Sequence, residues 1–329
     1  MLSMALTDAT PAPTRVHITG AEGSLARRVL ELLADDPDVV DGSSTSADVV
    51  IHLGAGDHDL RARRRENVTD GAAVMLSDAE ACGASHIVLV SSALVYGAYA
   101  NNPVPLTEDA ILRPDVEFVY ARQLATVEAM VDEWRRAAPG RTATVLRPAV
   151  AMAADGTSSL AAALAAGFGQ RIGEDDPPAQ FLHLDDLASA VALAVDRRLD
   201  GVFNVAPDGW VAGERVRALS GARPRIPLPD RAAEVVSALR WRFQRGPIPP
   251  GLRSYTREPW LVANDRLKAN GWRPTVTNEQ AFVEGTEARW WTMITPKRRQ
   301  ELALTGMVAA SLIVTGVVVS LVRRWRRRR

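Results

Sequence analysis

Through the first half of the chain, short β-branched runs alternate with stretches whose apolar positions recur at helical spacing. Arg-Val-His-Ile-Thr at 15–19 is stopped by Gly20 and reads as a buried strand. Leu25, Val29, Leu30, Leu32 and Leu33 then mark one face of a helix. Val39 and Val40 form a short strand, and 48–54 (Asp-Val-Val-Ile-His-Leu-Gly) a further one. A helix is predicted over about 67–83, a strand over 86–92, a long helix over about 116–138, and a strand over 143–147 that ends at Pro148. This order implies an α/β fold: a Rossmann-like, doubly wound parallel sheet with helices on both faces. The rhythm fails over 151–180 and 207–295, where Pro224, Pro227, Pro229 and the prolines of 246–251 mark irregular loops. Residues 1–13 read as a flexible leader.

The C-terminal pattern differs. Residues 302–322 form 21 consecutive uncharged positions. As a helix rising about 1.5 Å per residue they would span roughly 31 Å, the thickness of a bilayer core. Gly306/Ala310 and Gly316/Ser320 put small residues at close-packing spacing, a weak signal. A transmembrane helix followed by an Arg-rich tail at 323–329 is therefore predicted. No signal peptide is expected, since residues 1–15 lack a basic n-region and an apolar h-region. The expectation is a single-pass cell-membrane protein with its catalytic-type domain on the cytoplasmic side, the fate of the arginine tail being left open by the positive-inside rule.

Between the first strand and the first helix lies Gly20-Ala-Glu-Gly23-Ser-Leu-Ala26. A strand, a glycine turn and a helix start are what a dinucleotide phosphate site requires. Gly20 permits the turn, Gly23 lets backbone approach a pyrophosphate, and Ala26 is small enough for the helix to lie on the strand. The helix N-terminus offers free N–H groups to phosphate. Asp41, about 20 positions on, is a candidate for the adenosine ribose hydroxyls, with a plain turn aspartate as the equal alternative.

These residues resemble the extended short-chain dehydrogenase/reductase family, the NAD-dependent sugar epimerase/dehydratases, over roughly 14–290. Thr19-Gly20-x-x-Gly23-x-x-Ala26 resembles TGxxGxxG with alanine for the last glycine, and 50–55 resembles VIHLAA. Ser91-Ser92-x-x-Val95-Tyr96-Gly97 resembles SSxxVYG, and Phe181 to Leu187 resembles FVHVDDLA. Leu146-Arg147-Pro148, 201–206 and Gly271-Trp272-Arg273-Pro274 resemble three further segments. The resemblance implies NAD or NADP as cofactor and a nucleotide-sugar or other small-molecule substrate. It implies a smaller interleaved substrate lobe at 151–180 and 207–295, Ser92 as the catalytic hydroxyl, Tyr120 as general acid/base, and Arg147 beside the nicotinamide.

Two departures stand out. The YxxxK motif falls on Tyr120-Ala-Arg-Gln-Leu124, so leucine replaces the lysine that lowers the tyrosine pKa and holds the nicotinamide ribose. An unperturbed tyrosine titrates near 10, about three units above neutrality. Arg122 is no substitute, lying roughly 200° round the helix from Tyr120. The second departure is the short interval from Asp41 to Asp48, where the family holds a helix and another strand; the sheet is expected to lack an edge strand, which puts cofactor affinity in question.

Composition changes the picture in one respect. The chain of 329 residues has 39 basic and 39 acidic residues and one cysteine, Cys82. A disulfide framework and a multi-cysteine metal site are excluded, and no global basic excess points to nucleic acid. Yet 296–329 hold nine basic residues and one acidic, leaving 1–295 with 30 and 38. The basic end suits an anionic lipid surface that would repel the acidic body.

Several residues are weighed as structural. His52 and His86 read as satisfied core histidines, and His183 as no metal ligand. Asp185 and Asp186 are expected to cap a helix from Leu187 onward. Arg61 to Arg65 read as a solvated helix face. The stretch 232–243 has helical amphipathic spacing and packs on the main domain or on a membrane surface. Trp241, Trp260, Trp272, Trp290 and Trp291 suit a sugar-binding lobe or a membrane-proximal surface. A catalytically inactive sensor or membrane scaffold is the rival functional reading, a lipid-linked substrate a third, and a homodimer is left open.

Overall fold

The computed structural model describes residues 13–20, 23–36, 39–53, 68–168, 176–220 and 250–286. The chain divides into two compact units, Met1–Ser220 with Leu228–Thr286, and Gly221–Pro227 with Glu287–Arg329; the second lies wholly outside the described residues. So do the predicted transmembrane run and Arg-rich tail, the 61–65 arginines, the 232–243 stretch, Trp241, Trp290 and Trp291. Among the described residues, no helix is long and apolar enough to cross a membrane.

The described elements run β1 (Thr14–Thr19), α1 (Ser24–Ala34), β2 (Val39–Asp41), β3 (Val49–His52), α2 (Val68–Ala81), β4 (His86–Val90), a 3-10 turn (Ala93–Tyr96), α3 (Val119–Ala137), β5 (Thr142–Pro148), β6 (Val150–Met152), α4 (Ser159–Gly167), β7 (Phe181–His183), α5 (Leu184–Arg197), β8 (Gly201–Val205) and α6 (Gly213–Leu219). Two short 3-10 turns (Pro250–Leu252 and Ser254–Thr256), α7 (Asp265–Ala269) and α8 (Asn278–Gly285) follow. The main sheet has six strands in the order β2-β1-β3-β4-β5-β8, every pair parallel.

Both faces of this sheet are buried, which is why its strands read as nearly continuous apolar runs. Val49, Ile51, Val88, Val90 and Leu146 meet the core of α1 and α5, while Val50, Ile87, Leu89, Ala143 and Val145 meet the core of α2 and α3. A second, two-stranded parallel sheet pairs β6 with β7, and α4 and α8 pack against it.

The edge-strand expectation agrees with the sheet order. Among the described residues β2 is the last strand on its side. The interval after it holds only a tight turn: Ser43 and Ser46 bridge, Gly42 donates its N–H to the Val16 carbonyl at 2.8 Å, and Arg15 pairs with Asp48 at 2.8 Å. The Arg15 hydrogen bonds hold the Asp48 carboxyl at about 2.

Three boundaries differ from expectation. The helix predicted from 116 starts at Val119, because Asp115 uses its carboxylate to accept from the Glu117 N–H at 2.8 Å and turns the chain first. The strand predicted to 92 ends at Val90, because Ser92 caps the 3-10 turn. Asp185 and Asp186 do not cap α5: it begins at Leu184, and His183 caps it, its Nδ1 accepting from the Asp185 N–H at 3.2 Å. Asp186 is instead buried within the helix, where its carboxylate accepts from the Thr275 hydroxyl at 2.6 Å and from the N–H groups of Thr275 and Val276 at 2.9 and 3.0 Å. Trp272 donates to the Ser189 hydroxyl at 3.0 Å, so the Gly-Trp-Arg-Pro segment is a clasp onto α5. Trp260 and Trp272 are both buried, serving the core rather than an exposed sugar-binding surface.

His52 and His86 are core residues. His86 lies fully buried with Nδ1 2.8 Å from the Thr142 hydroxyl and Nε2 3.2 Å from that of Thr144. His52 lies with Nδ1 2.8 Å from the Thr19 hydroxyl. Burial lowers both, from 6.5 to about 4. Between pH 6.5 and 4 the unfolded chain therefore binds protons that the folded chain refuses, and stability falls as pH falls through that window. Each imidazole contributes up to about 3 kcal/mol above it. Thermal melts should show the loss between pH 6.5 and 4, before carboxylates such as Asp48 protonate. A His86→Gln variant should lose less over the same interval; an equal loss contradicts the assignment.

Candidate functional site

The head of α1 is held open. Gly23 is its N-cap with φ +92°, a conformation that side-chain-bearing residues rarely adopt, and no side chain caps the first turn. Among the described residues, nothing lies within 4 Å of where a Cβ at Gly23 would stand. Ala26 is buried beneath it, letting α1 lie on the sheet. Gly20 sits exposed at the end of β1. Asp41 closes β2, its backbone in register with Val16 of β1; its side chain lies outside the described residues. The result is a row of uncapped N–H groups at a positive helix end, which is an anion seat.

Ser92 follows β4, half-buried, its hydroxyl accepting from the Leu94 N–H at 3.2 Å. The 3-10 turn it opens packs against α3, which carries Tyr120 in its first turn. Tyr120 is buried, its ring 5.8 Å from that of Phe118. Burial pushes its hydroxyl well above the usual tyrosine value of 10. Leu124, one turn on, is 1% exposed and belongs to the apolar core.

Arg147, expected beside the cofactor, is 5% exposed and points into a buried polar network. Its guanidinium donates to both Glu128 carboxylate oxygens, the shortest contact being 2.6 Å, and to the Tyr96 hydroxyl at 2.8 Å. Tyr96 in turn donates to Asn204 Oδ1 at 2.8 Å, and Ser91 donates to Glu128 at 2.5 Å. A buried guanidinium needs an anion, and α3 supplies it two turns beyond Tyr120. The network ties the ends of β4, β5 and β8 to α3 and so fixes the frame that carries Ser92 and Tyr120. Glu128 escaped the sequence reading because a helical glutamate ordinarily faces water; its spacing of four from Leu124 was the available signal.

Among the described residues no group of histidine, cysteine, aspartate or glutamate could hold a metal ion.

A parallel sheet whose first strand leads through a glycine turn into an uncapped helix defines a Rossmann-type α/β protein. The pattern of the NAD dependent epimerase/dehydratase family matches residues 12–206, and the chain belongs to that family. RMD from Pseudomonas aeruginosa, solved with NADPH, is similar in fold at 19% identity, with a TM-score of 0.58 over 82% of this chain and 97% of that one. UDP-glucose 4-epimerase of Thermus thermophilus, solved with NAD, gives 17% identity and 0.58 over 82% and 97%. An uncharacterized protein of Mycobacterium tuberculosis is 24% identical over 258 residues, 77% of this chain and 68% of that relative.

Proposed function

We propose that this chain binds NAD or NADP at the head of α1 and is an epimerase/dehydratase-type protein whose turnover is strongly reduced. The observation that carries the second half is Leu124, packed in the core where the family places a lysine. The first half is supported by family membership, by the open Gly23 turn, and by the NADPH- and NAD-bound neighbours. The substrate class proposed is a nucleotide-sugar, as in the UDP-glucose epimerase, or a lipid-linked relative that the C-terminal segment would meet at a bilayer.

In the active reading, Ser92 orients a substrate hydroxyl and Tyr120 accepts its proton. Bound NAD or NADP would take up the hydride. With its hydroxyl raised by burial, and leucine in place of the cation that lowers its pKa, Tyr120 is mostly protonated at neutral pH and a poor base. The same arrangement favours the second reading, a sensor or scaffold that binds the dinucleotide without turnover.

Steady-state kinetics with NAD and NADP over a panel of nucleotide-sugars test this. Turnover should be weak or absent, and Leu124→Lys should raise kcat by about 100-fold, at some loss of Tm. Ordinary turnover that Leu124→Lys leaves unimproved overturns the reading.

We further propose that 302–322 anchor the acidic body to the cell membrane, with that body on the cytoplasmic side. The full chain should then resist carbonate extraction from membranes, and a chain ending at 295 should be released. Extraction of the full chain contradicts the anchor.

A further inference from the structure

The loop 153–157, between β6 and α4, reaches across to the head of α1. Its ends are fixed: the Thr157 hydroxyl lies 2.8 Å from the Ala153 carbonyl and 2.9 Å from the Gly285 carbonyl at the end of α8. Its tip lies on the first turns of α1. Ser24 donates its hydroxyl to the Asp155 carbonyl at 2.6 Å. The Asp155 carboxylate pairs with Arg27 and, at 2.6 Å, with Arg28, which also pairs with Asp185. Gly156 approaches so closely that an added Cβ would collide with the Ser24 side chain and come within 2.8 Å of Leu184 Cδ1. A glycine and three polar contacts, 131 positions from Ser24, thus bring the Asp155 carboxylate onto the Arg27 and Arg28 side chains, in the first turns of the helix whose N-cap is Gly23.

We infer that this loop is a latch over the phosphate end of α1, with Asp155 supplying, in the ligand-free chain, the negative charge that a dinucleotide phosphate brings when it binds. The inference rests on the proposed cofactor site and adds a regulatory contact to it. The fastening suits a part that opens. Asp155 is half-exposed, and exposed ion pairs are weak enough to exchange for a ligand's charge. The Gly156 contact sets where the loop closes; the Asp155 charge sets how often. A ligand that needs the open form binds more weakly by the fraction of time the latch is open.

Three full-length proteins test it: wild type, Asp155→Asn and Asp155→Glu. Without ligand, hydrogen exchange at 24–28 and 153–157 should quicken in Asp155→Asn and stay near wild type in Asp155→Glu. Calorimetric titration with NAD should show about tenfold tighter binding to Asp155→Asn. Unchanged exchange, or faster exchange with NAD affinity unchanged or weakened, overturns the latch. Should none of the three bind NAD, the cofactor reading fails by itself, and inorganic pyrophosphate in the same titration decides the latch. Tighter pyrophosphate binding to Asp155→Asn together with its faster exchange supports it, and equal or no binding overturns it.

Discussion

Arg147→Met should cost roughly 3–5 kcal/mol of stability. The Arg147–Glu128 pair is closed to water, both side chains being 6% exposed, and its 2.6 Å contact is reinforced by two further N–H···O bonds to the same carboxylate. Methionine fills most of the arginine's volume but leaves the Glu128 carboxylate buried with only the Ser91 hydroxyl beside it. Removing one partner of such a pair leaves an uncompensated charge, whereas replacing both with apolar residues of similar volume is often near neutral. Chemical denaturation should therefore show a large loss for Arg147→Met and at least half of it regained in Arg147→Met/Glu128→Leu. A single variant within about 1 kcal/mol of wild type would show that the network does not hold the sheet ends to α3. The thermal midpoint should fall by about 10 °C in the single variant.

What could be read from the sequence divides along physical lines. The strands of the sheet were legible because both of its faces are buried, so 49–51 and 87–90 could be apolar without interruption. That no strand lies beyond β2 among the described residues was legible as plain distance: the short interval from Asp41 to Asp48 holds a turn and nothing longer. The glycine turn was legible because Gly23 adopts φ +92°, a conformation that residues with side chains rarely take.

Side-chain partnerships across the fold were not. Arg147 carries the same motif whether it faces a cofactor or a glutamate, and the choice depends on a helix 19 positions away in sequence. Asp186 looks like a helix cap until Thr275 and Val276 arrive from 89 and 90 positions further on. The contact of Asp155 with Ser24, Arg27 and Arg28 has no local signature at all, since the two segments are joined only by the tertiary fold.

The second large effect concerns Gly23. Aspartate there would have to adopt φ +92°, at about 1–3 kcal/mol of strain. It would also set a carboxylate where phosphate should lie, and like charges in contact cost several kcal/mol of binding, a loss of at least about 100-fold. Calorimetric titration of the full chain with NAD and with NADP, repeated on Gly23→Asp with its melting temperature measured alongside, tests the dinucleotide site most directly. Saturable binding of one dinucleotide per chain, abolished in a folded Gly23→Asp protein, is the result predicted. Absence of binding by the wild type, or binding that a folded Gly23→Asp protein retains in full, would contradict it.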